Sequence, residues 1–207
     1  MIINIHGFSG VGNNSKYKWL CENIPYHEIY SPTFYYVDEN PHSILEHLLN
    51  RVSCYRRENP GNPTDVYVVG NSFGGFFARR VNQICPDVTA LLVNPSLAPF
   101  LTLREYLSVG QCQAYLDLLA RYAYEDENGN SERLHVIIGE SDEVIDHEKL
   151  TKPLLPLGFK NLYTIRGGMH QLDMTPEVEN IFKSVIKTPE GVAGGERPVH
   201  HFGAKLP

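Results

Sequence analysis

The chain has 207 residues, 42% hydrophobic and 20% charged, which suits one domain with a single sizeable core and excludes a disordered chain. A formal net charge of −6 with scattered basic residues argues against nucleic acid or an anionic membrane as the main partner. No stretch is long and apolar enough to span a bilayer, and the first residues do not form a secretory leader, so a cytoplasmic location is expected.

Taken in chain order, short apolar runs alternate with helical patterns. IINIH (2–6) reads as a first strand and is followed by the glycine-containing loop GFSGVGNN. Residues 15–23 read as helix, and 28–37 as an extended region interrupted by Pro32. Between 41 and 57, Ile44, Leu45, Leu48, Leu49, Val52 and Tyr55 recur at helical spacing. DVYVVG (65–70) is a strand, GNSFGG (70–75) a turn, and a helix runs from there to about Cys85. VTALLV (88–93), LHVII (134–138) and NLYTI (161–165) are further strands. The helix 176–187 closes the pattern, with Thr175 as N-cap, Pro176 in the first turn, and Val178, Ile181, Phe182, Val185 and Ile186 on one face.

This alternation implies an α/β fold: a mostly parallel six-stranded sheet with helices on both faces. Residues 1–187 are expected to form one domain, with 95–133 as a cap-like insertion containing the polar loop EDENGNSE. The Gly- and Pro-rich segment 188–207 lacks periodicity and reads as a loosely ordered tail. The basic pairs Arg56-Arg57 and Arg79-Arg80 read as solvated helix faces. Cys21, Cys54, Cys85 and Cys112 have neither C-x-x-C spacing nor a compact framework, and read as free thiols.

The turn at 70–75 carries the chemistry. A serine between a buried strand and a helix, flanked by Gly70 and Gly74 two residues away on either side, is the pattern of a nucleophile elbow. Such a turn lifts Ser72 above the carboxyl ends of the strands, where open α/β sheets bind ligands. None of the four cysteines has comparable surroundings. A serine nucleophile requires a base and an acid that orients it, in the chain order Ser, Asp or Glu, His. Asp142 follows the strand LHVII and His170 follows NLYTI, so both lie at the same sheet edge as the elbow.

Glu140, Glu143 and Asp146 are the rival carboxylates, and His135, His147, His200 and His201 the rival imidazoles. Backbone N–H groups of Phe73, after the nucleophile, and Phe8, in the HGF loop, are the expected oxyanion hole. His6 reads as a structural partner of that loop. No metal-ligand spacing, phosphate loop or dinucleotide fingerprint occurs, so no cofactor or metal is expected. GFSGVG (7–12) lacks the Lys-Ser/Thr ending that grips phosphate.

Together HGF (6–8), GNSFGG (70–75), GESDEV (139–144) and GGMH (167–170) resemble an α/β-hydrolase. LLVNPSLAPFLTLREYL (91–107) is similar to the segment after the elbow helix in the small bacterial YqiA/YcfP-type esterases. The resemblance covers roughly 1–187 and implies a minimal α/β-hydrolase with Ser72 as nucleophile, Asp142 as acid, His170 as base, and Phe8 and Phe73 as oxyanion donors. It implies a serine carboxylesterase for small or medium acyl esters; a thioesterase and a catalytically silent binding protein are the alternatives. Asn94 matches the family's Asn-Pro and is expected to shape the pocket floor, while Leu97, Phe100, Leu101, Leu103, Tyr106 and Leu107 either line an acyl pocket or pack the cap on the body.

Overall fold

A computed structural model describes residues 1–60, 66–122, 131–187 and 201–202. Its strands are β1 (Ile2–Ile5), β2 (Ile29–Ser31), β3 (Tyr67–Asn71), β4 (Thr89–Val93), β5 (Leu134–Gly139), β6 (Leu162–Ile165) and β7 (His201–Phe202). They form a seven-stranded sheet in the order β6-β5-β4-β3-β1-β2-β7, with every neighbouring pair parallel. Six of these strands are the ones expected from sequence. The seventh comes from the segment expected to be a loose tail, and it pairs with β2, whose backbone would otherwise form an open sheet edge. The rest of the tail and the loop 123–130 within the expected cap lie outside the described residues.

The helices are α1 (Ser15–Asn23), α2 (Pro41–Glu58), α3 (Gly74–Ile84), α4 (Pro99–Thr102), α5 (Val109–Arg121), α6 (His147–Leu150) and α7 (Pro176–Val185). Alternate strand residues feed two apolar layers. Ile3, Ile5, Val68, Leu92 and Val136 pack with side chains of α2, α3 and α5. Ile2, Val69, Leu91, Val93 and Ile137 pack with side chains of α1 and α7. Burial on both faces explains why these strands read as continuous apolar runs.

Local signals set the helix starts. Asn14 accepts the Tyr17 N–H, Asn40 the His42 N–H and Thr175 the Val178 N–H, while Ser108 and Gln111 form a capping box that starts α5.

One expectation fails on α3. Arg79 and Arg80 are buried, because α3 is covered on nearly all sides and carries the aromatic core residues Phe76 and Phe77. Arg79 donates to the Asn82 side chain at 2.6 Å, and the Arg80 guanidinium lies 5.2 Å from the centre of the Phe76 ring. Arg56 and Arg57 are exposed as expected. All four cysteines are free.

The topology decides where a site can form. From β1 the chain moves to β2 on one side, then returns past β1 to build β3, β4, β5 and β6 on the other. The crevice at the carboxyl ends of adjacent β1 and β3 is therefore the topological switch point of the sheet.

Candidate active site

The turn from β3 into α3 holds Ser72 at φ 50°, in the left-handed region that non-glycine residues rarely enter. Sterics make the glycines obligatory. A Cβ on Gly70 would lie 2.6 Å from the Gly74 carbonyl oxygen, and one on Gly74 would lie 2.4 Å from the Ile5 carbonyl oxygen. Small residues there let α3 start directly against β1 and β3. The turn is also tied to β4 and its following loop: Ser72 N–H donates to the Val93 carbonyl at 2.8 Å, and Ser96 N–H to the Ser72 carbonyl at 3.0 Å.

Three loops then converge. Ser72 Oγ lies 3.0 Å from His170 Nε2, and His170 Nδ1 lies 3.0 and 2.9 Å from the two oxygens of Asp142. With the Nδ1 proton donated to the carboxylate, Nε2 is free to accept the serine hydroxyl proton. The Asp142 side chain is 1% exposed and that of His170 20%, so the carboxylate is sealed while the imidazole remains partly accessible. Asp142 Oδ1 also accepts the backbone N–H groups of Val144 and Ile145, both at 2.9 Å. Burial alone would raise its pKa, but hydrogen bonds from His170, Ile145 and Val144 outweigh that and hold it below the ordinary carboxylate value.

The rival carboxylates serve the loop backbone instead. Glu143 Oε2 accepts the His170 N–H at 2.9 Å, and Glu140 Oε2 the Gly167 N–H at 3.2 Å. Asp146 caps α6 by accepting the Lys149 N–H. Of the rival histidines, His135 sits beside Tyr163 on the sheet, and the side chains of His200 and His201 lie outside the described residues. His147 is in the site, in a place the sequence did not suggest: its Nε2 is 2.8 Å from Asp142 Oδ2.

The loop after β1 forms the opposite wall. A Cβ on Gly7 would come within 3.2 Å of Ser72 Cβ, so this loop lies directly against the elbow. Among the described residues no group accepts a hydrogen bond from the backbone N–H of Phe8 or Phe73, the two positions expected to donate to an oxyanion. Their rings pack edge to face, with centroids 6.1 Å apart.

His6 holds the loop's shape. Its Nδ1 donates to the Gly7 carbonyl at 2.7 Å, and its Nε2 accepts the Phe34 N–H at 2.9 Å. Burial lowers its pKa, with the Gly7 bond opposing, which fits a neutral structural imidazole.

Asn94 is wholly buried and spans two loops rather than lining open space. Its side-chain amide donates to the carbonyls of Met169 and His170, each at 2.8 Å, and its oxygen accepts the Gly139 N–H at 2.6 Å. It thereby joins the end of β5 to the base loop. Leu97 is buried in the core. Phe100 borders a groove of about 300 Å³ with Arg104, Leu107, Val109, Cys112 and Leu116.

Lys16, whose role sequence reading missed, reaches from α1 to donate to the Leu172 carbonyl at 3.1 Å. Burial pushes its pKa down to about 8, with Asp173 opposing. No sequence spacing signals these two clamps, because each reaches the loop after β6 across more than seventy residues. His147 was visible as a nearby histidine, five residues from Asp142 on a short helix.

Among the described residues no group of three or more His, Cys, Asp or Glu side chains is placed to hold a metal ion, and no helix is long and apolar enough to cross a membrane.

Comparison with known proteins gives the same picture of the fold. The model of the family described as "Uncharacterised protein family (UPF0227)" matches residues 1–157. A UPF0227 protein from Pectobacterium atrosepticum is 27% identical over 161 residues, covering 74% of this chain and 82% of its own. Among solved structures, a monoacylglycerol lipase from Paleococcus ferrophilus superposes with a TM-score of 0.56 at 15% identity, covering 89% of this chain and 91% of its own. The protein TT1662 from Thermus thermophilus superposes with a TM-score of 0.61 at 17% identity, covering 91% and 89%. The fold is that of the α/β-hydrolases.

Proposed function

The chain belongs to the UPF0227 family, and from that premise we propose that it is a serine hydrolase cleaving carboxylic esters of small or medium acyl groups. The observation that carries this reading is the continuous hydrogen-bonded line from Ser72 Oγ through His170 to Asp142 at the switch point of the sheet. As Ser72 Oγ attacks the ester carbonyl carbon, its proton passes to His170 Nε2, and the imidazolium is stabilised by the Asp142 carboxylate. Charge that develops on the carbonyl oxygen is met by the N–H groups of Phe8 and Phe73. The tetrahedral species collapses to an acyl-serine, and the alcohol leaves with the proton from His170. Water then repeats the sequence: it gives a proton to His170, attacks the acyl carbon, and releases the acid as Ser72 regains its proton.

An ester rather than an acyl-CoA thioester is favoured by charge. The loop after β5 presents the exposed carboxylates Glu140 and Glu143 beside His170, and the chain carries a net charge of −6, so a polyanionic substrate would be repelled. Ester cleavage is also the chemistry in the name of the lipase neighbour.

Labelling with a fluorophosphonate probe and turnover of short p-nitrophenyl esters test the reading directly. Ser72→Ala is expected to abolish labelling and to lower turnover by ~10³-fold or more, leaving only binding and oxyanion contributions. Labelling that persists in Ser72→Ala, on a purified sample, would sink the assignment.

A further inference from the structure

His147 has no part in the steps described above, yet it touches the triad. Its Nε2 lies 2.8 Å from Asp142 Oδ2, the oxygen that the two backbone N–H groups leave untouched. Its Nδ1 lies 2.8 Å from Thr151 Oγ1, and that hydroxyl is in turn 3.2 Å from the Pro95 carbonyl. The side chain is 5% exposed, and Thr151 is wholly buried.

We propose that His147 is a positioning residue of the triad, an imidazole that donates its Nε2–H to Asp142 and so fixes the plane of the carboxylate that orients His170. The inference rests on the reading of Ser72, His170 and Asp142 as a catalytic triad.

The hydrogen-bond inventory supports it. Asp142 Oδ1 receives two backbone donors, and His170 Nδ1 is shared between both oxygens. Oδ2 would hold only its share of that divided bond without His147. A carboxylate so unevenly held can rotate about its Cβ–Cγ bond and carry the His170 ring away from Ser72. His147 closes the arrangement by giving Oδ2 a full donor of its own.

Proton positions follow from Thr151. When its hydroxyl proton points at His147 Nδ1, that nitrogen is an acceptor and the imidazole's one proton sits on Nε2, facing the acid. A cationic His147 would instead donate from Nδ1 to Thr151, whose proton would turn to the Pro95 carbonyl.

The surroundings choose between the two states. Burial opposes the cation first, and Asp142 favours it through charge and hydrogen bonding; His170 opposes it and Asp146 favours it, with a pKa below the ordinary histidine value as the outcome. Glu140, Glu143, Glu148 and Lys152 face the cavity of about 510 Å³ that His147 borders. A neutral His147 leaves the whole negative charge of Asp142 to the imidazolium that forms at His170 during the reaction. A cation at His147 would compete for it.

The test is a pH profile of kcat and kcat/KM for His147→Phe, His147→Gln and Thr151→Val, beside Ser72→Ala. His147→Phe keeps a planar ring but removes the donor. It should lower kcat by about tenfold to a hundredfold, the worth of one hydrogen bond to a charged group, with KM little changed. Its acid limb should move to higher pH, because the less neutralised carboxylate favours the protonated base. His147→Gln retains an N–H donor at the Nε2 position and should recover most of the turnover.

Nitrogen-15 spectra of the intact protein should show His147 carrying its proton on Nε2. A wild-type kcat and acid limb in His147→Phe overturns the proposal, as does His147→Gln behaving like His147→Phe, or an Nε2 without its proton. Should His147→Phe fail to fold by circular dichroism, Thr151→Val decides: it leaves the imidazole but removes the hydroxyl that fixes its tautomer. It should lower kcat and shift the acid limb, and an unchanged profile overturns the proposal. The Ser72→Ala control keeps the two readings apart, since persistent turnover there defeats the triad itself and not the role of His147.

Discussion

At the scale of single residues, the acidic loop after β5 holds several carboxylates with separate tasks, and geometry distinguishes them where sequence offered only proximity. The Asp142 side chain is buried and bonded to His170 Nδ1, whereas Glu143 is exposed and accepts the backbone N–H of the same residue. On the proposed reading, Asp142→Asn presents an amide where His170 Nδ1–H needs a pure acceptor, so turnover should drop by about 10³- to 10⁴-fold, the cost of that change in a serine-protease triad. Glu143→Gln keeps an acceptor for the His170 N–H and should cost far less. Steady-state kinetics on the two variants check this, and a Glu143→Gln defect equal to that of Asp142→Asn would make Glu143 the orienting acid. The sequence placed Asp142, His170 and Ser72 because each follows a recognisable strand. It offered no sign of Asn94 as a clamp, since its partners Met169 and His170 are more than seventy residues away.

At the scale of elements, the junction of β1, β3 and α3 sets the position of Ser72, and its glycines can be tested against one elsewhere. A Cβ on Gly74 would press on backbone oxygens of Ile5 and His6, at 2.4 and 2.6 Å, and backbone cannot swing aside as a side chain can. Gly74→Ala should therefore push α3 from β1, lower the thermal midpoint, and reduce turnover by moving the Phe73 N–H away from the loop after β1. Gly110, in α5, has open space around it. Gly110→Ala should raise stability by a few tenths to about 1 kcal/mol through lower chain entropy and better helix propensity. Thermal melts of the two proteins should move in opposite directions, and a stabilised Gly74→Ala would contradict the steric account.

At the scale of the whole molecule, pH couples to folding through imidazoles held neutral in the structure. His6, His47, His135 and His147 all have pKa values lowered, in each case first by burial. A folded-state value below the unfolded one, about 6.5, means that the unfolded chain binds the extra protons. Stability should therefore fall as pH drops below about 6.5, and the loss should be complete once the folded-state values are passed. Asp142 acts lower on the scale: its depressed pKa stabilises the fold above about pH 4 and that contribution disappears as pH falls through the folded-state value. Thermal midpoints measured between about pH 7.5 and about pH 5.5 should decline, each kcal/mol lost lowering the midpoint by about 2–4 °C for a domain of this size. His147→Gln should show a shallower decline. A midpoint constant across that range would show that these imidazoles do not titrate differently in the folded and unfolded chains.

The α/β alternation, the elbow and the chain order of Ser72, Asp142 and His170 were determined by the sequence itself. These features rest on local physics: apolar strand runs, caps at helix starts, and glycines wherever a Cβ cannot fit. Knowing that parallel strands expose their carboxyl ends on one edge was enough to bring three distant loops together. Only the tertiary structure decided what depends on contacts between remote segments. The burial of Arg79 and Arg80 follows from the elements that cover α3, and β7 joins the sheet because β2 offers it an edge. The reach of Asn94 and Lys16 to the loop after β6 depends on how β4 and α1 flank it, and even the bond from His147 to Asp142, only five residues apart, depends on how the turn between them brings α6 back to the carboxylate. A side chain's partner across the fold is fixed by packing, and packing leaves no periodicity in the chain to be read.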